Sequence, residues 1–268
     1  MPPKRKLKII NEVISLTFGD QGENNVGMKK VGNIVSKGNG ISKEDILKII
    51  NIFEIDNYKC ELYNLNELCD IETEEAVVCV IRGGLNYILN KYGKNSKDLF
   101  KEMNTFEWDS KYYDTRRQKV LNKKARTNVC FGEESSEPDY ENKKGRIVSY
   151  DELECLRIVK EELKNIVGEK GEDLICEGNR YYDMKKCGIG WHGDAERRKV
   201  IAFRLGASMN LCFNWYYKCE RIGDMLNITL NDGDMYIMSE KAVGTDWRSK
   251  NIPTLRHAAG PVDSKYIK

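Results

Sequence analysis

The segment Gly188–Asp194 ends in His-x-Asp, with His192 and Asp194 two positions apart. On an extended strand, residues i and i+2 project to the same side, so an imidazole and a carboxylate here reach a common point from one face. The chain has two histidines, and the second, His257, closes the strand-like segment 252–257. Two imidazoles and one carboxylate on one face of an octahedral ion leave three positions open. That is the donor set of non-haem Fe(II) oxygenases, which need the open positions for a co-substrate and for O2. A zinc hydrolase also uses such donors but needs a neighbouring glutamate as base, and Glu196 is the close candidate. His-x-Asp alone is common at surface turns; the conjunction with the other histidine is what points to a metal.

These residues must be positioned by strands. From Asp173 onward short apolar runs follow one another, at 174–177, 200–204, 209–215, 225–230, 234–238 and 254–257. Turn residues such as Asn231-Asp232-Gly233 separate them, the pattern of a β-sandwich or barrel. Ahead of them, 151–167 is a helix by pattern, apolar at Leu153, Leu156, Val159, Leu163 and Ile166 and followed by Gly168. Residues 9–105 read as an α/β unit. It has a strand at 12–18, a Gly- and Asn-rich loop at 19–40, a helix capped by Ser42 with Asp45 three residues on, a strand at 75–82 and helices at 85–92 and 96–103. The stretch 106–150 is polar and carries a basic segment, Arg116, Arg117, Lys119, Lys123, Lys124 and Arg126, followed by a long loop at 133–146. Three regions are therefore expected: 1–105, an N-terminal α/β extension for shaping the substrate site or for packing; 106–150, lid-like; and 151–268, a β-rich core with supporting helices. The fold class is α+β.

With 268 residues the chain can bury a substantial core. A net charge of +2 names no partner, so any polyanion partner must be argued from a local patch. No apolar run approaches the roughly 20 residues of a membrane helix, and no signal-peptide pattern follows the basic lead Met1–Lys8, which reads as a solvated tail. The nine cysteines are odd in number and form no CxxC pair. That speaks against a zinc ribbon or disulfide scaffold and for free thiols in a reducing intracellular compartment, cytoplasm or nucleus.

Residues 174–268 resemble the 2-oxoglutarate- and Fe(II)-dependent dioxygenases, and within them the AlkB-like branch. Asn179-Arg180-Tyr181 followed by His192-Gly193-Asp194 is similar to that branch's Asn-x-Tyr strand and its His-x-Asp. Arg204-Leu205-Gly206, then Phe213-Asn214-Trp215, is similar to its serine-leucine-glycine strand and the aromatic strand after it, and Asp232–Met238 to the strand leading to the distal histidine. The resemblance implies a double-stranded β-helix (jelly-roll) core, Fe(II) held by His192, Asp194 and His257, 2-oxoglutarate contacted by Asn179 and Tyr181, and O2 as oxidant. It implies hydroxylation or demethylation, with 2-oxoglutarate converted to succinate and CO2. In that branch the region ahead of the Asn-x-Tyr strand covers a flipped nucleotide. Arg116, Arg117, Lys123, Lys124 and Arg126, with Tyr112, Tyr113, Phe131 and Tyr140 nearby, are then expected to meet nucleic acid. Glu133, Glu134, Glu137, Asp139 and Glu141 in the same stretch oppose phosphate, so a protein side chain or a small molecule stay open as substrates. A cupin-like binding protein without redox chemistry would also explain the strands, but not a convergence of the three donors.

The pattern departs from the family in two places. The family holds the far carboxylate of 2-oxoglutarate with a basic residue on the strand after the distal histidine, and the AlkB-like branch has two arginines there. The tail after His257 contains no arginine. Lys265 is the expected substitute, with Lys268 the alternative, and a lysine is a point charge where an arginine is a fork. The stretch 242–250 is also longer than the family pattern. Gly19–Gly32 carries glycines, but not in the order of a phosphate-binding loop.

Overall fold

The computed structural model describes residues 11–261 and 263–268; the basic lead Met1–Lys8 lies outside them. In chain order the elements are β1 (Val13–Gly19), the hairpin β2 (Gln21–Glu23) and β3 (Lys30–Gly32), α1 (Lys43–Ile55), β4 (Cys60–Asn64), β5 (Val77–Ile81), α2 (Gly84–Asn90) and α3 (Ser96–Glu102). There follow the hairpin β6 (Lys111–Asp114) and β7 (Lys119–Asn122), β8 (Thr127–Gly132), β9 (Ile147–Ser149), α4 (Glu154–Val167), β10 (Ile175–Tyr181) and β11 (Ile189–His192). The last are β12 (Val200–Gly206), β13 (Met209–Tyr217), β14 (Glu220–Leu230), β15 (Met235–Met238), α5 (Glu240–Val243) and β16 (Thr254–Gly260).

Local chemistry accounts for several of these boundaries. Ser42 and Asp45 form a reciprocal capping box at the start of α1, satisfying amides that have no helical partner. The helix then buries Ile46, Ile49, Ile50 and Phe53, the stripe that its spacing predicts. In α4 the buried face runs through Leu156, Val159, Leu163 and Ile166, and Gly168 follows its last residue at φ +71°, a conformation open to glycine.

Two sheets form the body, almost wholly antiparallel. The larger has the order β4-β5-β15-β12-β1-β10-β8-β9 and the smaller β11-β16-β13-β14. The expected boundaries at 105 and 150 do not partition the large sheet. Residues 1–105 supply β1, β4 and β5, and β8, a buried strand inside the stretch expected to be a lid, pairs with β10. From β10 onward the chain passes between the sheets: β10 large, β11 small, β12 large, β13 and β14 small, β15 large, β16 small. Residues 263–267 continue in turns and bends instead of a strand. The place between β10 and β12 is held by β1, from the other end of the chain.

The large sheet is covered on both faces. Alternate side chains point to opposite faces of a strand, and each strand divides accordingly. Ile14, Leu16 and Phe18 of β1, Ile201, Phe203 and Leu205 of β12, and Val77, Cys79 and Ile81 of β5 pack with the helices in one core. Val78 and Val80 of β5, Val200 and Ala202 of β12, and Tyr236 and Met238 of β15 face the small sheet, meeting Leu211, Phe213, Trp215, Ile228 and Leu255 in a second core. Each such side chain, fully buried, contributes roughly 1.5–3 kcal/mol. Toward β1 and β10 that inner face turns polar, with Ser15, Thr17, Glu177, Asn179 and Arg204, and there the two sheets border a cavity.

Candidate metal centre and its cavity

His192 ends β11 and His257 lies in the middle of β16, and the two are direct cross-strand partners. Pairing of these two positions sets the imidazole centroids 4.5 Å apart. The strand stops at His192, so Asp194 is not delivered by strand alternation; it sits on the exit loop. Its carboxylate turns back so that Oδ1 lies 3.5 Å from Nε2 of each histidine. One donor atom from each of the three residues lies within 4.8 Å of the others. Gly193 is required between the ligands by a close approach: a Cβ there would stand 2.1 Å from the Gly244 carbonyl oxygen. The stretch 242–250 thus packs against the back of the ligand loop, and the Asp194 amide donates to the Val243 carbonyl at 3.0 Å.

Two neighbours orient the donors. Nδ1 of His192 is 2.7 Å from the Gly190 carbonyl; donating there leaves Nε2 as a lone-pair donor facing the centre. Burial first, then His257, hold the His192 imidazole down to about 3, so it is neutral, as a ligand must be. Burial pushes the Asp194 carboxyl up, but Arg197, His257 and His192 together pull it well below the usual carboxylate range. Arg197, 3% exposed, sits behind Asp194 with Nε 3.5 Å from Oδ2, and it also pairs with Glu177 and Glu196. The second carboxylate oxygen is thereby occupied from behind while Oδ1 faces forward. His257 is nearly buried, and its Nδ1 is an orphaned polar atom among the described residues. Donors bound to one ion at roughly 2.0–2.2 Å lie about 3–4 Å apart, so this set closes on a metal with small adjustments. The donor chemistry, N2O on one side of a cavity, fits Fe(II).

The cavity measures about 740 Å3. Tyr181 lines it, and burial raises its phenol. Asn179 also lines it, but its side chain is already engaged: Oδ1 accepts from Arg126 Nε at 2.7 Å and from Asn128 Nδ2, and Nδ2 donates to Glu177 at 3.0 Å. Asn179 therefore positions Arg126 more than it offers free hydrogen bonds. Lys265 is elsewhere. It is exposed, its ammonium lies 5.2 Å from the centre of the Tyr266 ring, and neither it nor Lys268 lines the cavity. The physical reason is that the strand expected to carry it does not form. Two buried arginines beside the cavity, Arg197 and Arg204, are not among the site residues expected from sequence; for Arg204 the available signal is an arginine on the inner register of an otherwise apolar strand, VIAFRLG.

The basic segment divides. Arg116 and Arg117 lie in the exposed turn of the β6–β7 hairpin, where both amides bond to Asp114. Arg117, Lys123, Lys124 and Arg126, with Tyr112, line a second cavity of about 540 Å3 that has no acidic wall among the described residues. It shares Arg126 and Asn25 with the first, so the two are neighbours. Burial pushes the Lys123 ammonium down to about 8, and it donates to Asn24 at 2.6 Å. Three nearby acids have partners of their own. Glu133 pairs with Lys160, Glu137 with Arg146, and Asp109 accepts from Asn24, Tyr140 and the Arg146 amide. All nine cysteines are free thiols, and among the described residues no helix is long and apolar enough to cross a membrane.

No family model matches the chain. Among curated proteins it is similar to "Uncharacterized protein R156" of Acanthamoeba polyphaga mimivirus, with 44% identity over 263 residues, 97% of this chain and 99% of that protein.

Proposed function

Since the chain belongs to the family of that mimivirus protein, whose name carries no activity, we propose from the site itself that it is an Fe(II)- and 2-oxoglutarate-dependent dioxygenase of AlkB-like type, with a jelly-roll core. The observation that carries this reading is the convergence of His192 Nε2, Asp194 Oδ1 and His257 around one point at the wall of a cavity. The sheet alternation from β10 to β16 supports the jelly-roll, and β1 closes it.

His192, Asp194 and His257 would hold the iron, which when bound supplies oxygen activation. The rest is the chain's own work. The Gly190 carbonyl sets the tautomer of His192, and Arg197 occupies the rear oxygen of Asp194. Leu211, Val200 and Met238 keep water from one side of the cavity. The substrate class that fits is nucleic acid: the cationic second cavity would take phosphates and Tyr112 a base face, with the reactive base turned into the first cavity. A metal-dependent hydrolase is the second reading, favoured by Glu196 on the same cavity wall, although Arg197 holds its carboxylate at 2.9 Å.

Anaerobic addition of Fe(II) and 2-oxoglutarate tests this directly. A weak visible charge-transfer band, and succinate formation on admitting air, are expected for the protein and absent in His192→Ala and Asp194→Ala. Hydrolysis without a band or succinate would select the second reading, and full turnover by both variants would end the first.

A further inference from the structure

Among the described residues two arginines are fully buried, and both line the cavity. Arg197 has carboxylate partners in Glu177, Asp194 and Glu196. Arg204 does not. It is 1% exposed, no carboxylate lies within ion-pair distance among the described residues, and its Nε is buried without a partner. Its one side-chain hydrogen bond runs from Nη1 to the Met209 sulfur at 3.7 Å, and the Tyr236 ring lies 6.0 Å away. A guanidinium in a low-dielectric interior is strongly unfavourable unless it is paired. This one lines the cavity that contains the three candidate ligands.

The register explains its position. Arg204 pairs with Ser15 on β1, and Ser15 pairs with Asn179 on β10, so the three form one row across the inner face. The resemblance places a cation on the strand after His257. That strand does not form, and β1 lies between β10 and β12, presenting uncharged Ser15 and Thr17 to the cavity. The charge comes from the next strand instead.

We propose that Arg204 is the counter-ion for the far carboxylate of a dicarboxylate co-substrate whose keto-acid end lies at His192, Asp194 and His257. The anion anchor has thus moved from the tail of the chain to β12, ahead of the distal ligand, and Lys265 takes no part. Arg204 presents a planar fork that matches a carboxylate in two parallel hydrogen bonds. The Tyr236 hydroxyl, 3.4 Å from Ser15 Oγ, adds hydroxyl donors on the same face. The proposal rests on the oxygenase reading, and its test is separable from it.

The test uses the Mn(II)-loaded protein under nitrogen, with 2-oxoglutarate and 2-oxobutyrate as probes; these share a keto-acid head but only the first has a far carboxylate. The wild type is expected to prefer 2-oxoglutarate by roughly 100-fold, the scale of losing one partner of a buried charge pair. Arg204→Met is expected to bind both within a few-fold and to keep its Mn(II) affinity, whereas Lys265→Ala keeps the preference. The metal-free Arg204→Met protein is also expected to melt at or above the wild-type temperature, because an uncompensated charge has been removed, and 2-oxoglutarate no longer raises that temperature. Retained preference in Arg204→Met, or preference lost in Lys265→Ala, overturns the proposal. So does a melting temperature well below the wild type, the mark of a purely structural arginine. Failure of the wild type to bind Mn(II) at all would instead remove the metal reading.

Discussion

The two faces of the large sheet are made by the same strands and do opposite things. On β12, Ile201, Phe203 and Leu205 point into the helices and are fully buried among apolar neighbours. Ala202 and Arg204, between them in sequence, point the other way, and Arg204 is as deeply buried but without a charge partner. One face is optimised for packing; the other tolerates an unfavourable charge. Proteins keep such locally costly features where a ligand relieves them. The same contrast separates the two fully buried arginines of the cavity. Arg197 is embedded among three carboxylates and holds Asp194, while Arg204 lines the cavity with no carboxylate beside it among the described residues.

Substitutions can sharpen that contrast. Phe203→Ala, on the helix face, is expected to cost about 3–5 kcal/mol of stability in denaturant unfolding, with metal affinity of the folded protein unchanged. A loss of metal binding in that folded variant would break the separation of faces. Arg197→Met should cost about 3 kcal/mol, since it leaves buried carboxylates unneutralised, and should also weaken metal binding by freeing Asp194. A neutral effect on both would remove Arg197 from the account.

A smaller effect concerns pH. The folded state holds His192 down to about 3 against 6.5 when exposed. The unfolded chain therefore takes the proton first, and this contribution, complete above pH 6.5, is lost as pH falls toward 3. Glu196, pushed up to about 7 chiefly by burial, acts in the opposite sense. In metal-free Glu196→Gln protein the unfolding midpoint should therefore fall between pH 6.5 and 5, and adding His192→Asn should flatten the slope. An unchanged slope would mean that His192 is protonated in the fold. Smallest of all, Lys265→Ala should shift stability by no more than about 0.5 kcal/mol, as for other exposed lysines.

Much of the site was legible in the sequence because its residues are chemically rare there. Two histidines in the whole chain and one His-x-Asp leave few arrangements, and the apolar runs around them fix strands. The capping box at Ser42 and the periodicity of 151–167 are local signals, and both elements formed as read. What was hidden is long-range. Nothing in VISLTFG says that it lies between β10 and β12, because strand pairing depends on the whole sheet. Nor does the tail's sequence say that 263–267 stay in turns and leave Lys265 outside the cavity. β8 was missed because TNVCFG sits within a polar, turn-rich stretch, and its pairing with β10 is again non-local.

The central claim is that three side chains form one metal site, and equilibrium Fe(II) binding under nitrogen tests it most directly. The account predicts one Fe(II) per chain in the wild type, with binding abolished in Asp194→Ala and in His257→Ala while both variants remain folded. Equal stoichiometry and affinity in His257→Ala would show that the second imidazole is not a ligand, and would contradict the account.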